Sequence, residues 1–332
     1  MKHVTLPTDA VRRLPFFLAM EEWVATHLPP DIYVFTWVVG PTVICGRNQD
    51  IQKEVNLEFC RANNIDVVRR RSGGGCVFAN HGNIMVSMIT PDTNVERAFA
   101  FFTSTMAAQL QKLGIPASVS GRNDITVHGR KISGTAFLHL PGRSIVHATM
   151  LFDTDTAMMH NAITPSRAKL ESKRVVSVES RIITAHRLLP QLSSREFHNA
   201  LLDGLINGKR HLTPAETAEI EALEQVYYRP EWLWRKDHEC NARSVRIEGV
   251  GDLSMAVALN SSGLISNIAL SGDFFEPSDG LAALLEELRG IPPEQKALAN
   301  ALRGKDMRRF ICGLSTDNFI NLITNNSQKD NG

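Results

Sequence analysis

A mixed or antiparallel β-sheet domain with helices packed on it, α/β in the α+β sense, followed by a small second α/β domain, is the fold class the sequence predicts. Three observations lead there. Short β-branched and aromatic runs recur through the first half at hairpin-length separations, helical patterns with explicit start and stop residues are interleaved with them, and a fresh hairpin pattern begins only after residue 250. At 332 residues and 43% hydrophobic content the chain can fill two cores.

In chain order, residues 33–39 and 42–45 read as two strands separated by Gly40-Pro41. Residues 55–63 follow as an amphipathic helix, 67–70 as a strand running into a glycine loop, and 84–89 as the next strand. Phe99, Phe102, Met106, Leu110 and Leu113 carry helical spacing across 95–113, and Gly114 before Pro116 stops that helix. Residues 125–127 and 130–133 flank His128-Gly129, a two-residue hairpin turn in which Gly129 accepts positive φ. A strand over 145–152 completes the set. Ser193 with Glu196 and Thr213 with Glu216 both fit the capping-box pattern, and Pro214 sits where a missing N–H costs nothing. Periodicity lapses around 227–234. Strands over 253–259 and 264–270, a turn at 260–263, and helices near 281–289 and 293–302 then make the second domain. The boundaries expected are 1–235 and 236–325, with the folded part ending near Ile323 and 326–332 as a flexible polar tail.

Thirty-six basic residues against thirty-five acidic ones leave a formal charge of +1, which argues against nucleic acid or an anionic membrane as partner. Cys45, Cys60, Cys76, Cys240 and Cys312 are odd in number and include no CxxC, so neither a disulfide framework nor a zinc ribbon is expected, and a reducing cytoplasm fits. The apolar stretch 14–20 contains Pro15 and runs into Glu21 and Glu22, unlike a signal peptide.

Two clusters carry chemistry. Arg69, Arg70 and Arg71 enter Ser72, Gly73, Gly74 and Gly75, where backbone without Cβ lets N–H groups approach an anion and arginines add charge-assisted bonds. Asn123 and Asp124 precede the hairpin bearing Lys131, Ser133 and Gly134. Asp124 can hold Mg2+ between phosphates, Asn123 both donates and accepts, and Lys131 is a point charge on a strand. A lysine–phosphate contact near 4 Å is worth roughly 4 kcal/mol before desolvation at an effective dielectric of about 20. Each cluster alone also reads as a solvated loop or an ordinary charged hairpin.

Taken in order, Leu18 to Glu22, Gly46-Arg47-Asn48-Gln49, Glu54-Val55-Asn56, Arg69 to Gly75, Gly82-Asn83, Gly121 to Asp124, Arg130 to Gly134, His147-Ala148-Thr149, and Lys169-Leu170 with Ser177-Val178 and Ser180-Arg181 resemble the lipoate–protein ligase A family. The resemblance implies a catalytic domain that converts lipoate and ATP to lipoyl-AMP and pyrophosphate. It then passes the acyl group to a lysine of a lipoyl carrier domain, such as a 2-oxoacid dehydrogenase E2 subunit or the glycine-cleavage H protein; octanoate is a related acid. By the same resemblance Lys131 is the catalytic residue, while Arg70, Ser72, Gly73, Gly74, Gly75 and His147 bind the lipoyl group. Gly75, Asn83, Asn123, Asp124, Lys131, Ala148, Thr149 and Lys169 bind ATP or the adenylate, and Asp124 binds Mg2+. Residues 169–181 would form a loop over the adenylate that shields the anhydride from water.

The chain departs from the family pattern at Ala79-Asn80-His81, where a His-Asp pair is usual, at Ala148, where glycine is common, and at Glu179, where arginine is common. Two rival readings follow. Cys76, directly after the glycine loop, suggests an octanoyl or lipoyl carrier-to-carrier transferase working through a thioester, and the departures suggest a non-catalytic binder of lipoate or its adenylate.

Overall fold

The computed structural model describes residues 1–120, 123–164, 181–235 and 242–327. They fall into two compact units. The first comprises Met1–Cys45, Gln52–Arg70 and Cys76–Trp234, and the second Gly46–Ile51, Arg71–Gly75 and Arg235–Gly332.

The first unit is built on an eight-stranded sheet. Its strands are β1 (Lys2–Thr5), β2 (Tyr33–Trp37), β6 (Asn83–Thr90), β7 (Ala117–Ser120), β8 (Asp124–Val127), β9 (Arg130–Leu140), β10 (Arg143–Leu151) and β11 (Gly208–His211). They lie in the order β11-β1-β2-β6-β10-β9-β8-β7, parallel where β1 meets β11 and β2 and antiparallel elsewhere. A smaller sheet in the same unit has β3 (Thr42–Cys45) between β4 (Asp66–Arg69), which is parallel to it, and β5 (Val77–Ala79), which is antiparallel. The mixed, largely antiparallel sheet is the fold class expected from the hairpin spacings.

Helix α1 (Leu14–His27) packs against β6, β10 and the helix Pro214–Glu224. Eleven of its residues are buried, all apolar but Glu21, so it shows no polar face from which to read a helical period. Helix Val95–Lys112 packs on β7, β9 and β10, with Phe99 edge-on to Phe137 at 5.9 Å. Asn94 caps its N-terminus by accepting from Arg97 N–H, and Gly114 follows it at φ 85°. Both capping boxes form, with the Ser193 and Thr213 side chains accepting from the backbone N–H of Glu196 and Glu216.

Two expectations need correction. The helix expected over 55–63 is two pieces, Ile51–Glu54 and Leu57–Ala62. Val55 pairs with Ile163 in an isolated bridge, and the Asn56 side chain restarts the helix by accepting from Phe59 N–H. The final helix is Thr316–Ser327, so it continues past Ile323. Thr324 Oγ1 donates to the Ile320 carbonyl, Asn326 Nδ2 to that of Leu322 and Ser327 Oγ to that of Thr324.

The second unit contains β12 (Arg243–Ile247), β13 (Gly251–Leu259) and β14 (Ile265–Gly272) in an antiparallel sheet of that order. Helices Leu281–Glu287, Gln295–Ala301 and Thr316–Ser327 close a separate core that includes Leu253, Met255, Phe274, Leu298 and Phe319.

Candidate active site

The register of the large sheet brings most of the first-unit candidates onto one face. Asp124 lies opposite Gly134, Gly134 opposite Thr149, Thr149 opposite Met85, and Met85 opposite Trp37, a single rung crossing five strands. Residues directly opposite one another project to the same side of a sheet. Two residues along, Ala136, His147, Ser87 and Phe35 form a parallel rung on that same side. Ala148, between His147 and Thr149 in β10, therefore projects to the other face, and of the three neighbours His147 and Thr149 share the site face.

Lys131 reaches this face through an irregularity. The hairpin turn has His128 at φ 49° and Gly129 at φ 74°, both in the left-handed region. Thr126 then pairs with Lys131 while Ile125 pairs with Ser133, leaving Ile132 as an extra residue. That bulge changes the alternation and turns Lys131 toward Asp124 and Gly134. Lys131 Nζ is 2.7 Å from Asp124 Oδ1, with about a third of each side chain exposed. A Cβ on Gly134 would stand 2.5 Å from Lys131 Nζ and 2.7 Å from its Cε, so the bare glycine makes the bed in which the lysine lies. Asn123 braces the same strand, its Nδ2 donating to the Thr135 carbonyl at 2.9 Å while its own carbonyl accepts from Thr135 N–H at 2.9 Å. The Lys131 carbonyl accepts from Ile183 N–H at 2.9 Å.

His147 is buried beside α1. Its Nδ1 is 3.0 and 3.1 Å from the two carboxylate oxygens of Glu21, which is 2% exposed. Ser87 Oγ donates to Glu21 Oε1 at 2.5 Å and accepts from Trp37 Nε1 at 2.9 Å. Among these, Trp37 and Ser87 lie outside the sequence motifs, and Glu21 lies within the first of them, Leu18 to Glu22. A glutamate in an otherwise apolar buried helix face is the signal that could have singled it out.

Asn83 begins β6, 1% exposed, and its Oδ1 accepts from Asn80 N–H at 2.9 Å, which shapes the turn at the altered Ala79-Asn80-His81 stretch. Its Nδ2 is buried and makes no hydrogen bond among the described residues. A buried amide donor left over in this way is what a ligand acceptor would satisfy.

The three arginines separate. Arg69 is 1% exposed, its Nε donating to the Leu233 carbonyl while Trp232 Nε1 donates to the Arg69 carbonyl, so it pins the end of the first unit onto β4. Arg70 is also buried, with Nη1 donating to the Ile44 carbonyl at 3.0 Å, and burial pulls its guanidinium below the ordinary value. Arg71 belongs to the second unit with Ser72, Gly73, Gly74 and Gly75. There Gly74, at φ 87°, donates its N–H to the Phe274 carbonyl at 3.0 Å, and a Cβ on Gly73 would stand 2.4 Å from that oxygen. These glycines permit close backbone approach to Phe274 in this structure. Cys76 lies 3.1 Å from Cys45, sulfur to sulfur; that hydrogen bond and burial push its thiol well above the ordinary value. Lys169, Ser177, Val178, Glu179 and Ser180, with Gly121 and Arg122, lie outside the described residues, as does Cys240.

Among the described residues no group of three or more His, Cys, Asp or Glu could hold a metal ion, and no helix is long and apolar enough to cross a membrane.

One sheet face thus carries a lysine cradled over a glycine, an aspartate beside it and a buried histidine–carboxylate pair. Residues 15–206 match the lipoyl protein ligase A/B catalytic domain and residues 241–323 the bacterial lipoate protein ligase C-terminus, so the chain belongs to the lipoate–protein ligase family. The lipoate–protein ligase LplJ of Bacillus subtilis is 31% identical over 317 residues, covering 92% of this chain and 95% of that protein. Among solved structures, P. falciparum LipL1 in complex with lipoate shares the fold at a TM-score of 0.75 and 18% identity, covering 98% of each chain. A lipoate–protein ligase A bound with ATP matches at 0.59 and 22% identity over 70% of this chain and 98% of its own.

Proposed function

We propose that this ligase joins lipoate to ATP, giving lipoyl-AMP and pyrophosphate, and transfers the lipoyl group to the ε-amine of a lysine on a carrier domain. The observation that supports this most is the Lys131 ammonium held by Asp124 over Gly134, on the face that also carries Thr149 and His147. In the first step a carboxylate oxygen attacks the α-phosphorus and pyrophosphate leaves. In the second the carrier amine attacks the acyl carbonyl, AMP leaves and the amine loses a proton. Negative charge builds on phosphate and carbonyl oxygens in turn, and a fixed ammonium beside both lowers each barrier. We assign that part to Lys131.

Asn83, Asn123, Asp124, Thr149 and Lys169 are assigned to ATP or the adenylate, and Arg70, Ser72, Gly73, Gly74, Gly75 and His147 to the lipoyl group, Gly75 serving both; Ala148, whose side chain projects to the opposite face, is assigned no side-chain contact. For Asn83 the buried unpartnered Nδ2 is a further support. Asp124 is the carboxylate that would hold Mg2+ here, and the ion would neutralise phosphate charge. The carriers proposed are E2 subunits and the H protein, octanoate is proposed as a second acid, and odd cysteines without CxxC spacing favour the cytoplasm.

The test is the intact mass of a lipoyl carrier domain after incubation with the protein, lipoate, ATP and Mg2+, beside reactions lacking ATP and reactions with Lys131→Ala. An ATP-dependent lipoyl adduct lost in the variant is expected. Absence of both adduct and pyrophosphate release would overturn the reading in favour of a binder.

A further inference from the structure

With Glu21 ionised, the buried polar side chains Trp37, Ser87 and His147 on one sheet face and Glu21 of α1 above them admit one placement of the protons between them. An indole N–H can only donate, so Ser87 Oγ accepts from Trp37 Nε1 at 2.9 Å. A serine hydroxyl has a single proton, and Ser87 directs it to Glu21 Oε1 at 2.5 Å. Both Glu21 oxygens then face His147 Nδ1, at 3.1 and 3.0 Å. A carboxylate that already receives the serine proton is an acceptor toward its second neighbour, so Nδ1 must carry a hydrogen. Glu21, an acceptor toward both neighbours, thereby sets the tautomer of His147, and Trp37 and Ser87 orient its carboxylate.

The backbone holds this order in place. Ser87 sits directly between Phe35 of β2 and His147 of β10 in the sheet register, and Glu21 comes down onto it from α1. Exposures of 3% for Trp37, 0% for Ser87 and 2% for Glu21 exclude water as a competing partner. Phe17 of the same helix stacks on Trp37 at 4.8 Å and fixes the indole plane, so its N–H has one direction to point.

We propose that Glu21 is a positioning residue for the acyl site: by holding the proton on Nδ1 it makes His147 act toward the acid substrate through Nε2 alone. This rests on the assignment of His147 to the lipoyl group. Fixing a tautomer by a hydrogen bond at the far nitrogen is the general way proteins choose which imidazole nitrogen does the work. The wrong tautomer would offer substrate the opposite hydrogen-bonding character at the same atom.

The experiment uses the full chain labelled with 15N-histidine. Long-range 15N–1H correlation spectra report which nitrogen of His147 bears the proton, assigned against His147→Asn, and lipoate dependence of pyrophosphate release gives KM and kcat separately. In the parent protein His147 is expected as the Nδ1–H form. Glu21→Gln presents an amide N–H2 beside Nδ1 and is expected to move the proton to Nε2. It should also raise KM for lipoate about tenfold, the loss of one oriented hydrogen bond, with kcat at saturating lipoate changed much less. His147→Asn keeps a donor near the place of Nδ1 but has nothing at the place of Nε2. It should therefore fold with near-parental stability yet show the same KM rise, which guards against a Glu21 variant that merely unfolds.

A parent His147 protonated on Nε2 overturns the proposal. So does a Glu21→Gln protein whose tautomer shifts while KM stays put. The ligase reading fails separately, if the parent chain gives neither adduct nor pyrophosphate.

Discussion

Lys131 Nζ lies 2.7 Å from Asp124 Oδ1 and rests over Gly134, whose missing Cβ would fall within 2.7 Å of both Nζ and Cε. Three residues on two strands thus define where one positive charge stands. Gly134→Ala separates position from presence. Its new methyl meets only the far end of a flexible side chain, and the position has no positive φ, so the protein should melt close to the parent. The lysine must move aside, and pyrophosphate release should fall by about 10- to 100-fold, since misplacement of about 1 Å has effects of that size. A Gly134→Ala enzyme of parental activity would show that Lys131 needs no such bed.

Asp124→Asn tests the other half of the pair. Both side chains are about one-third exposed, so water screens the ion pair and its loss should change stability by less than about 1 kcal/mol. Activity should fall far more than stability, and raising Mg2+ should restore part of it if the carboxylate helps hold that ion. Denaturant unfolding alongside a Mg2+ titration of pyrophosphate release measures both. A variant that loses stability and keeps activity would make Asp124 a structural partner only.

How far these features could be read from sequence depends on the range of the interactions that make them. The helix Val95–Lys112, the His128-Gly129 turn and both capping boxes are local, and their residues announce them. The bulge at Ile132 was invisible because strand alternation is a rule of period two, and one added residue depends on pairing with Ile125 and Thr126 rather than on composition. Helix α1 was missed because burial on nearly every side removes the amphipathic period. The parallel pairing of β1 with β11 joins residues about two hundred positions apart and carries no local mark. Within the site, Lys131 and Asp124 were legible through motif order, whereas the link from Trp37 through Ser87 and Glu21 to His147 exists only once three strands and a helix are assembled. Arg69 shows the converse error, an arginine in a charged run that is wholly buried as a backbone clamp.

Gly73→Ala addresses the glycine loop. A methyl there would lie 2.4 Å from the Phe274 carbonyl and 3.0 Å from Phe275 Cα, both backbone atoms that no rotamer change can clear. Overpacking of this kind costs about 1–3 kcal/mol. Hydrogen exchange should show faster opening of β13 and β14 in the second unit, with the large sheet of the first unit unaffected. Unchanged protection of β14 would mean that the loop adapts more cheaply than its contact with Phe274 suggests.

Cys76 gives a pH-dependent prediction that also decides against the thioester rival. The hydrogen bond with Cys45 and burial raise its thiol well above the ordinary value, so at neutral pH it is held as the unreactive thiol. Alkylation by iodoacetamide, located by peptide mass, should therefore be slow at Cys76 and should keep accelerating at pH values where an ordinary cysteine has already levelled off. The linked effect on stability has a definite sign. Because the folded chain keeps a proton that the unfolded chain releases, this contribution is complete below the ordinary thiol value and disappears as pH rises through the folded one. Cys76→Ser removes the titration, so its alkaline loss of stability should be shallower than the parent's while ATP-dependent lipoylation persists. Rapid alkylation of Cys76 at neutral pH, together with loss of transfer in Cys76→Ser, would instead support chemistry through a thiolate.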